Sequence, residues 1–389
     1  MRTRIVAAVM GIGVLVGGCA GASPARAPVA RRPPAAHHFA WIDMLSSKAG
    51  WALGDDRVTV YRTSNGVRWT ASETTRHVPR SAYGSILYAV SAQEAWYAFT
   101  VNGSRIGLYH TLDGGRHWNY HKIPFTYIPG LQGSDPLGGP VAMSFVTSED
   151  GWLLAAPEHG MSTEPGVLYR TRDGGRTWRV VASTYARGGT PSLPFSGDIS
   201  FSGVREGWLV GSQTSTAPSL IYRTTDGGEY WHEVSFPSTR VLSHEAMSAV
   251  STPLFCEAQG ATAIAFRGTG STVIYETRNS GDSWQFAYAS TTPDPAAYQI
   301  VDIVRAGPKI LAVTYDSEFN SISYVEGNDW SASTWTLSGR IPQRFLPTGA
   351  RVSELDFVSP MIGWVIITRT GHLPSVLRTG DGGKTWSTI

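Results

Sequence analysis

The chain has 389 residues, 42% hydrophobic and 16% charged, with 43 glycines and 14 tryptophans, a globular composition rich in turns and aromatic packing. Lysine plus arginine number 32 against 30 aspartates and glutamates, and loss of Arg2 and Arg4 with a cleaved leader brings the two into balance. That balance excludes the basic footprint of a nucleic-acid binder, and Lys48, Lys122, Lys309 and Lys384 are the only lysines.

Residues 1–18 have the form of an export signal: Arg2 and Arg4, an apolar run from Ile5 to Val16, then Gly17-Gly18 before Cys19. The run is shorter than the roughly 20 residues a membrane-spanning helix needs. Val16-Gly17-Gly18-Cys19 resembles a bacterial lipobox, which would make Cys19 a lipidated N-terminus; cleavage after Ala25-Arg26-Ala27 is the alternative. Either route makes the protein extracytoplasmic, lipid-anchored in the first case and secreted in the second. Residues 19–38 are rich in Ala, Pro and Arg without apolar periodicity and read as a disordered tether. With Cys19 lipidated, Cys256 has no intrachain partner; within Leu254-Phe255-Cys256 it reads as a small buried hydrophobe.

From residue 39 onward one octapeptide keeps returning. Thr111–Trp118, Thr171–Trp178, Thr224–Trp231, Thr277–Trp284 and Thr379–Trp386 share Thr, then Asp or Asn, then a glycine, then Trp. Thr63–Trp69 is a copy shortened by one residue, and Glu326–Trp335 keeps only the spacing and Trp335. Asp-Gly between strand-like runs marks a tight turn, because glycine supplies positive φ at no steric cost. The final tryptophans are 49, 60, 53, 53, 51 and 51 residues apart, a propeller-blade period repeated seven times. In phase with them run Gly50-Trp51, Ala95-Trp96, Gly151-Trp152, Gly207-Trp208 and Gly363-Trp364, each opening a strand-like run; Ala261–Phe266 and Lys309–Val313 take that place in the fifth and sixth units. Four strands per unit give an all-β, seven-bladed β-propeller of four-stranded antiparallel blades over residues 39–389. The phase starts on an inner strand and ends on an outer one, so no strand exchange closes the ring. The repeated tryptophans are expected between blades; Trp41 and Trp330 fall outside the pattern.

These turns resemble the Asp-box, or BNR, repeat. Together with the Gly-Trp strand they resemble the photosystem II assembly and stability factor-like group of exported bacterial propellers. The resemblance implies that the boxes are structural turns, so Asp113, Trp118, Asp173, Trp178, Asp226, Trp231, Asn279, Trp284, Asp381 and Trp386 are expected to be fasteners. Asp boxes also occur in sialidases, xyloglucanases and sortilin, and one fold hosts many functions.

Antiparallel order puts all boxes on one face and the longer, irregular connections on the other, where binding residues usually sit. The expected binding rim comprises His121, Tyr127, Asp135, Glu158, His159, Tyr185, Arg187, Arg240, His244 and Arg344. Catalytic motifs fail: His244-Glu245-Ala246-Met247-Ser248 lacks the second histidine of a zincin, and His110 and His117 occupy repeat positions. No metal site and no cofactor is expected. Arg340-Ile341-Pro342 resembles a sialidase motif, yet Lys122-Ile123-Pro124 occupies a similar repeat position. A convergent triad from Arg80, Arg187, Arg240, Arg344, Arg351 and Arg369 would supply the carboxylate clamp of a sialidase-like glycoside hydrolase. The reading is a monomeric, non-catalytic binding or assembly scaffold that meets a protein partner at the membrane surface. The alternative is a carbohydrate-active enzyme or glycan binder.

Overall fold

The computed structural model describes residues 37–389 except 73–77, 79–82, 102–104, 124–138, 157–165, 185–192, 194–196, 212–219, 238–247, 250–253, 257–260, 268–270, 292–297, 307–308, 317–320 and 328–335. Seven antiparallel sheets follow one another along the chain, and each pairs its strands in sequence order. Each sheet packs on the next, and the seventh packs on the first. Blade three shows the plan: Gly139–Phe145 innermost, then Asp150–Ala156, Val167–Arg172 and Arg179–Ser183 outermost. Blade five departs from it. Its innermost strand is broken into Ser248–Ala249 and Leu254–Cys256, both paired with Ala261–Arg267.

The Gly-Trp pair has a steric cause. A side chain at Gly151 would sit 2.3 Å from the ring of Phe145, its cross-strand partner, and Gly207 and Gly363 stand in the same relation to Phe201 and Phe357. In blade two the glycine is Ala95, and its partner shrinks to Ala89. Room made by the glycine lets the phenylalanine lie flat against the Trp of the preceding blade: Trp96 stacks on Phe145 and Trp152 on Phe201, both at 3.7 Å between centroids. Trp51, Trp96, Trp152, Trp208 and Trp364 are fully buried, as the repeat implied.

The boxes are turns locked by their own side chains. Thr171 Oγ1 donates to Asp173 Oδ1 (2.8 Å) and accepts from the Gly175 N–H, while Asp173 accepts from the Thr177 N–H and hydroxyl. Gly174 and Gly175 take φ of 71° and 92°. Box five does the same job with Ser280 at φ 55°, a conformation that costs a non-glycine residue about 1–2 kcal/mol. Trp178 Nε1 donates to its own Gly175 carbonyl, and Trp231 and Trp386 repeat that bond. Trp152 instead donates to the Gly227 carbonyl of the next blade's box (2.9 Å), which ties blade to blade.

Blades one and seven meet without exchanging a strand: one sheet runs from Phe39–Met44 to Trp69–Ala71, the other from Ala350–Ser359 to Ser387–Thr388. Phe39, Ile42, Met44 and Trp69 of blade one bury against Trp364, Ile366, Val376 and Ile389 of blade seven. Glu354 Oε1 and Asp356 Oδ2 accept from the Ile42 and Met44 N–H groups, and the His37 N–H donates to the Ile389 carbonyl at 3.4 Å.

Candidate binding rim and channel mouth

The first-to-second and third-to-fourth strand turns share the box face, so the innermost strands begin on the opposite face. There a cavity of about 350 Å³ opens among the inner strands of blades one to four. Its lining includes Trp41 and Leu53 of blade one, Ser85 and Tyr88 of blade two, Met143 of blade three and Asp198 at the start of blade four, with Arg57 at its edge.

Arg57 is presented by a built turn. The Asp56 carboxylate accepts from the Val58 and Thr59 N–H groups and from the Thr59 hydroxyl. Desolvation works against that carboxylate, but the Thr59 and Val58 hydrogen bonds outweigh it and hold its pKa low. Arg57 is left at φ 54°, and its carbonyl accepts from Ser85 Oγ and, at 2.9 Å, from the Tyr97 hydroxyl. A non-glycine held at positive φ by a neighbouring blade marks strain stored at one spot. Deeper in, Tyr88 donates to the Phe145 carbonyl (3.2 Å), and burial, with Asp43 and Asp198 in range, raises its pKa, so it serves as a neutral donor. Burial lifts the Asp43 carboxyl to about 6. Among the described lining residues the mouth combines the Arg57 cation, the exposed Asp198 carboxyl and two amphipathic aromatic rings, Trp41 and Tyr88, on an otherwise largely apolar wall.

Of the rim expected from sequence, Tyr127, Asp135, Glu158, His159, Tyr185, Arg187, Arg240 and His244 lie outside the described residues, as do Arg80 and Cys19. Arg344 is exposed in the short 3-10 turn Gln343–Phe345 between blades six and seven, its guanidinium 4.6 Å from the Phe345 ring. Arg351 and Arg369 sit on adjacent strands at the same end of blade seven, where Ala350 pairs with Arg369. His121 requires a correction. It lies on the outer strand Asn119–Ile123, paired with Leu108, and its pKa is lowered by burial and by Arg176 of the next box. Three residues past Trp118, it occupies the position that Ser72 holds after Trp69, where Ser72 Oγ donates to the Gly115 carbonyl of the following box. Outer strands twist onto the neighbouring box, so this position belongs to a blade junction and not to the rim.

Sequence reasoning missed Asp43, Arg57, Tyr88 and Asp198. A signal for Arg57 was present: Gly54-Asp55-Asp56-Arg57 is a turn between the second and third strands, which by strand order faces the rim. The sequence also held a regular ion pair that went unread. The residue before Gly-Trp and the residue before the box threonine meet over the Trp ring: Asp150 with Arg170 at 3.3 Å, Glu206 with Arg223, and Glu94 with His110 at 3.0 Å. Arg170 lies 4.8 Å over Trp152, and His110 stacks on Trp96 at 4.5 Å. Ser148 of blade three donates to the other oxygen of Glu94. This orders serine, glutamate and histidine with the carboxylate in the middle, so the histidine is not placed to take a proton from the serine. Among the described residues no group of three or more His, Cys, Asp or Glu is placed to hold a metal ion.

The ring of Asp-box blades defines a β-propeller with a concave mouth opposite its boxes, lined by both apolar and polar side chains. Residues 138–345 match the family described as photosynthesis system II assembly factor YCF48, and the chain belongs to that family. The structure of YCF48 from Cyanidioschyzon merolae superposes with a TM-score of 0.52 at 17% identity, covering 90% of this chain and 97% of that one. Virginiamycin B lyase from Staphylococcus aureus is similar in fold, with a TM-score of 0.50 at 15% identity, covering 85% and 91%. Among curated proteins, xyloglucanase Xgh74A of Acetivibrio thermocellus is 23% identical over 239 residues, 51% of this chain; the chain aligns with only 27% of that enzyme's length.

Proposed function

We propose that the protein is a non-catalytic binding or assembly scaffold, held outside the cytoplasm by a lipid on Cys19 and engaging a protein partner through the face opposite its boxes. The observation that carries this reading is membership, over more than half of the chain, in a family described as an assembly factor. The channel mouth supports it: Arg57 is fixed by hydrogen bonds from blade two, beside Trp41, Tyr88 and Asp198, in a concave surface built from four blades. Crosslinking from a residue at that mouth, followed by co-purification from the native membrane, tests the proposal. One specific protein partner, lost on Arg57→Glu and retained on Arg278→Glu, is the expected result. Recovery of no partner, together with cleavage of a glucan, would overturn it. Cys19→Ser is expected to move the protein from the membrane to the soluble fraction; continued membrane association would remove lipidation from the reading.

The similarity to a xyloglucanase supports a second reading, a glycan-binding or glycan-cleaving propeller, and the aromatic rings at the mouth fit a sugar face. Titration with xyloglucan oligosaccharides separates the two.

A further inference from the structure

The repeated ion pair provides its own internal control. At the junction of blades four and five, Arg223 is held by two carboxylates, Glu206 from its own blade and Asp282 from the next box. At the junction of blades one and two both acids are gone. Arg62 occupies the place of Arg223, opposite Trp51 as Arg223 is opposite Trp208. Ala49 stands where Glu206 would be, and Arg116 stands where Asp282 would be. The Arg62 guanidinium still packs beneath the first box glycine, 2.6 Å from where a Gly114 Cβ would lie, as Arg170 does beneath Gly227. Arg62 Nε is buried without a hydrogen-bond partner, as is Arg170 Nε, but where Arg170 pairs with Asp150 through Nη2, Arg62 Nη1 reaches only the Gly114 carbonyl, at 3.5 Å. Beside it lies a cavity of about 440 Å³ lined by Arg62, Arg68, Arg116, Thr63, Thr70 and Ser72 among others, with no carboxylate among the described lining residues. Blade seven also lacks its acid, with Ile362 before Gly363-Trp364, but there the shortened box contributes Val67 at the position of Arg116.

A half-buried guanidinium without a counter-charge is costly, and a planar fork matches a carboxylate with two parallel hydrogen bonds. We infer that the groove between blades one and two is a binding site for a carboxylate ligand, which supplies from outside the group that Glu206 and Asp282 supply internally in blades four and five. Arg62 is the buried anchor, Arg116 and Arg68 the exposed arms, and Thr70 and Ser72 the polar wall. The cavity lies within the size range of small-molecule pockets, so it takes a carboxylate with a body attached. This inference does not depend on the scaffold reading, since the site lies at the box turns and not at the channel mouth.

The test is calorimetric titration of the full chain with succinate and with inorganic phosphate at constant ionic strength, on wild type and three variants. Wild type is expected to bind succinate more tightly than phosphate. Ala49→Glu rebuilds the internal pair, so it should keep or raise thermal stability while weakening succinate at least tenfold. Arg62→Gln should weaken it at least as much, and Arg278→Gln, an exposed arginine elsewhere, should leave it unchanged. Absence of succinate binding to folded wild type, or equal binding by wild type and Ala49→Glu, overturns the site. Equal affinity for phosphate and succinate overturns the carboxylate assignment.

Discussion

Replacing Trp152 and Trp364 by phenylalanine, one at a time, separates what the buried indoles do as apolar bodies from what they do as donors. Both rings are fully buried, both open the second strand of a blade, and both carry an arginine above them, Arg170 at 4.8 Å and Arg378 at 5.4 Å. They differ in one bond. Trp152 Nε1 donates to the Gly227 carbonyl at 2.9 Å, whereas Trp364 Nε1 is buried with no partner. The box that faces Trp364 is one residue short, and its Gly66 lies against the ring where the boxes of blades three and four offer a carbonyl to Trp96 and Trp152. Both substitutions lose a similar apolar area and leave a similar void. Trp152→Phe additionally strands a buried carbonyl, which costs about 1–3 kcal/mol, and Trp364→Phe removes a donor already unsatisfied. Trp152→Phe should therefore be the more destabilising by about 1–3 kcal/mol. Equilibrium guanidinium unfolding at fixed pH measures the difference, through midpoints compared at unchanged slope. Equal midpoints, or a larger loss for Trp364→Phe, would refute the claim that the indole–box bond ties successive blades.

Three further outcomes are expected. Gly207→Ala should cost about 1–3 kcal/mol by overpacking against Phe201, and much less in a Phe201→Ala background, so a double-mutant cycle in urea should show strong coupling. Ser280→Gly should raise stability by about 1 kcal/mol in thermal melts, since it relieves the positive φ that the other boxes give to glycine. Burial raises the Asp43 carboxyl to about 6, so the folded state holds a proton that the unfolded state releases near its ordinary value of 3.8. Stability should then fall as pH rises from about 4 to 6 by up to about 2–3 kcal/mol, and Asp43→Asn should flatten that decline in pH-dependent unfolding.

The phase of the fold was readable because its cause is local. A Thr–Asp–Gly turn needs only its own residues to close, and Gly-Trp is a cross-strand size match between neighbours such as Gly151 and Phe145. What was not readable depends on a second blade. His121 looked like loop because its strand is short and polar on its exposed face, and only the twist of the outer strand brings it to Arg176. Asp43 and Asp198 sit on inner strands whose pattern does not reveal which side chains meet across the mouth. The phase pointed to no exchanged strand between blades one and seven but left open how they are locked, because the carboxylates of Glu354 and Asp356 that cap the seam's backbone are long-range contacts.

That seam has a mechanical consequence. Six junctions of the ring are bridged by the chain itself, whereas the seventh is held by a greasy cluster and a few bonds from side chains and chain ends. A pull applied through residue 37 loads this junction first, beginning with the bond from His37 to Ile389 and the one from His38 to the Pro374 carbonyl. With no β-ladder across it among the described residues to share the load, the ring opens like a clasp between its first and last blades while the other blade contacts stay shut.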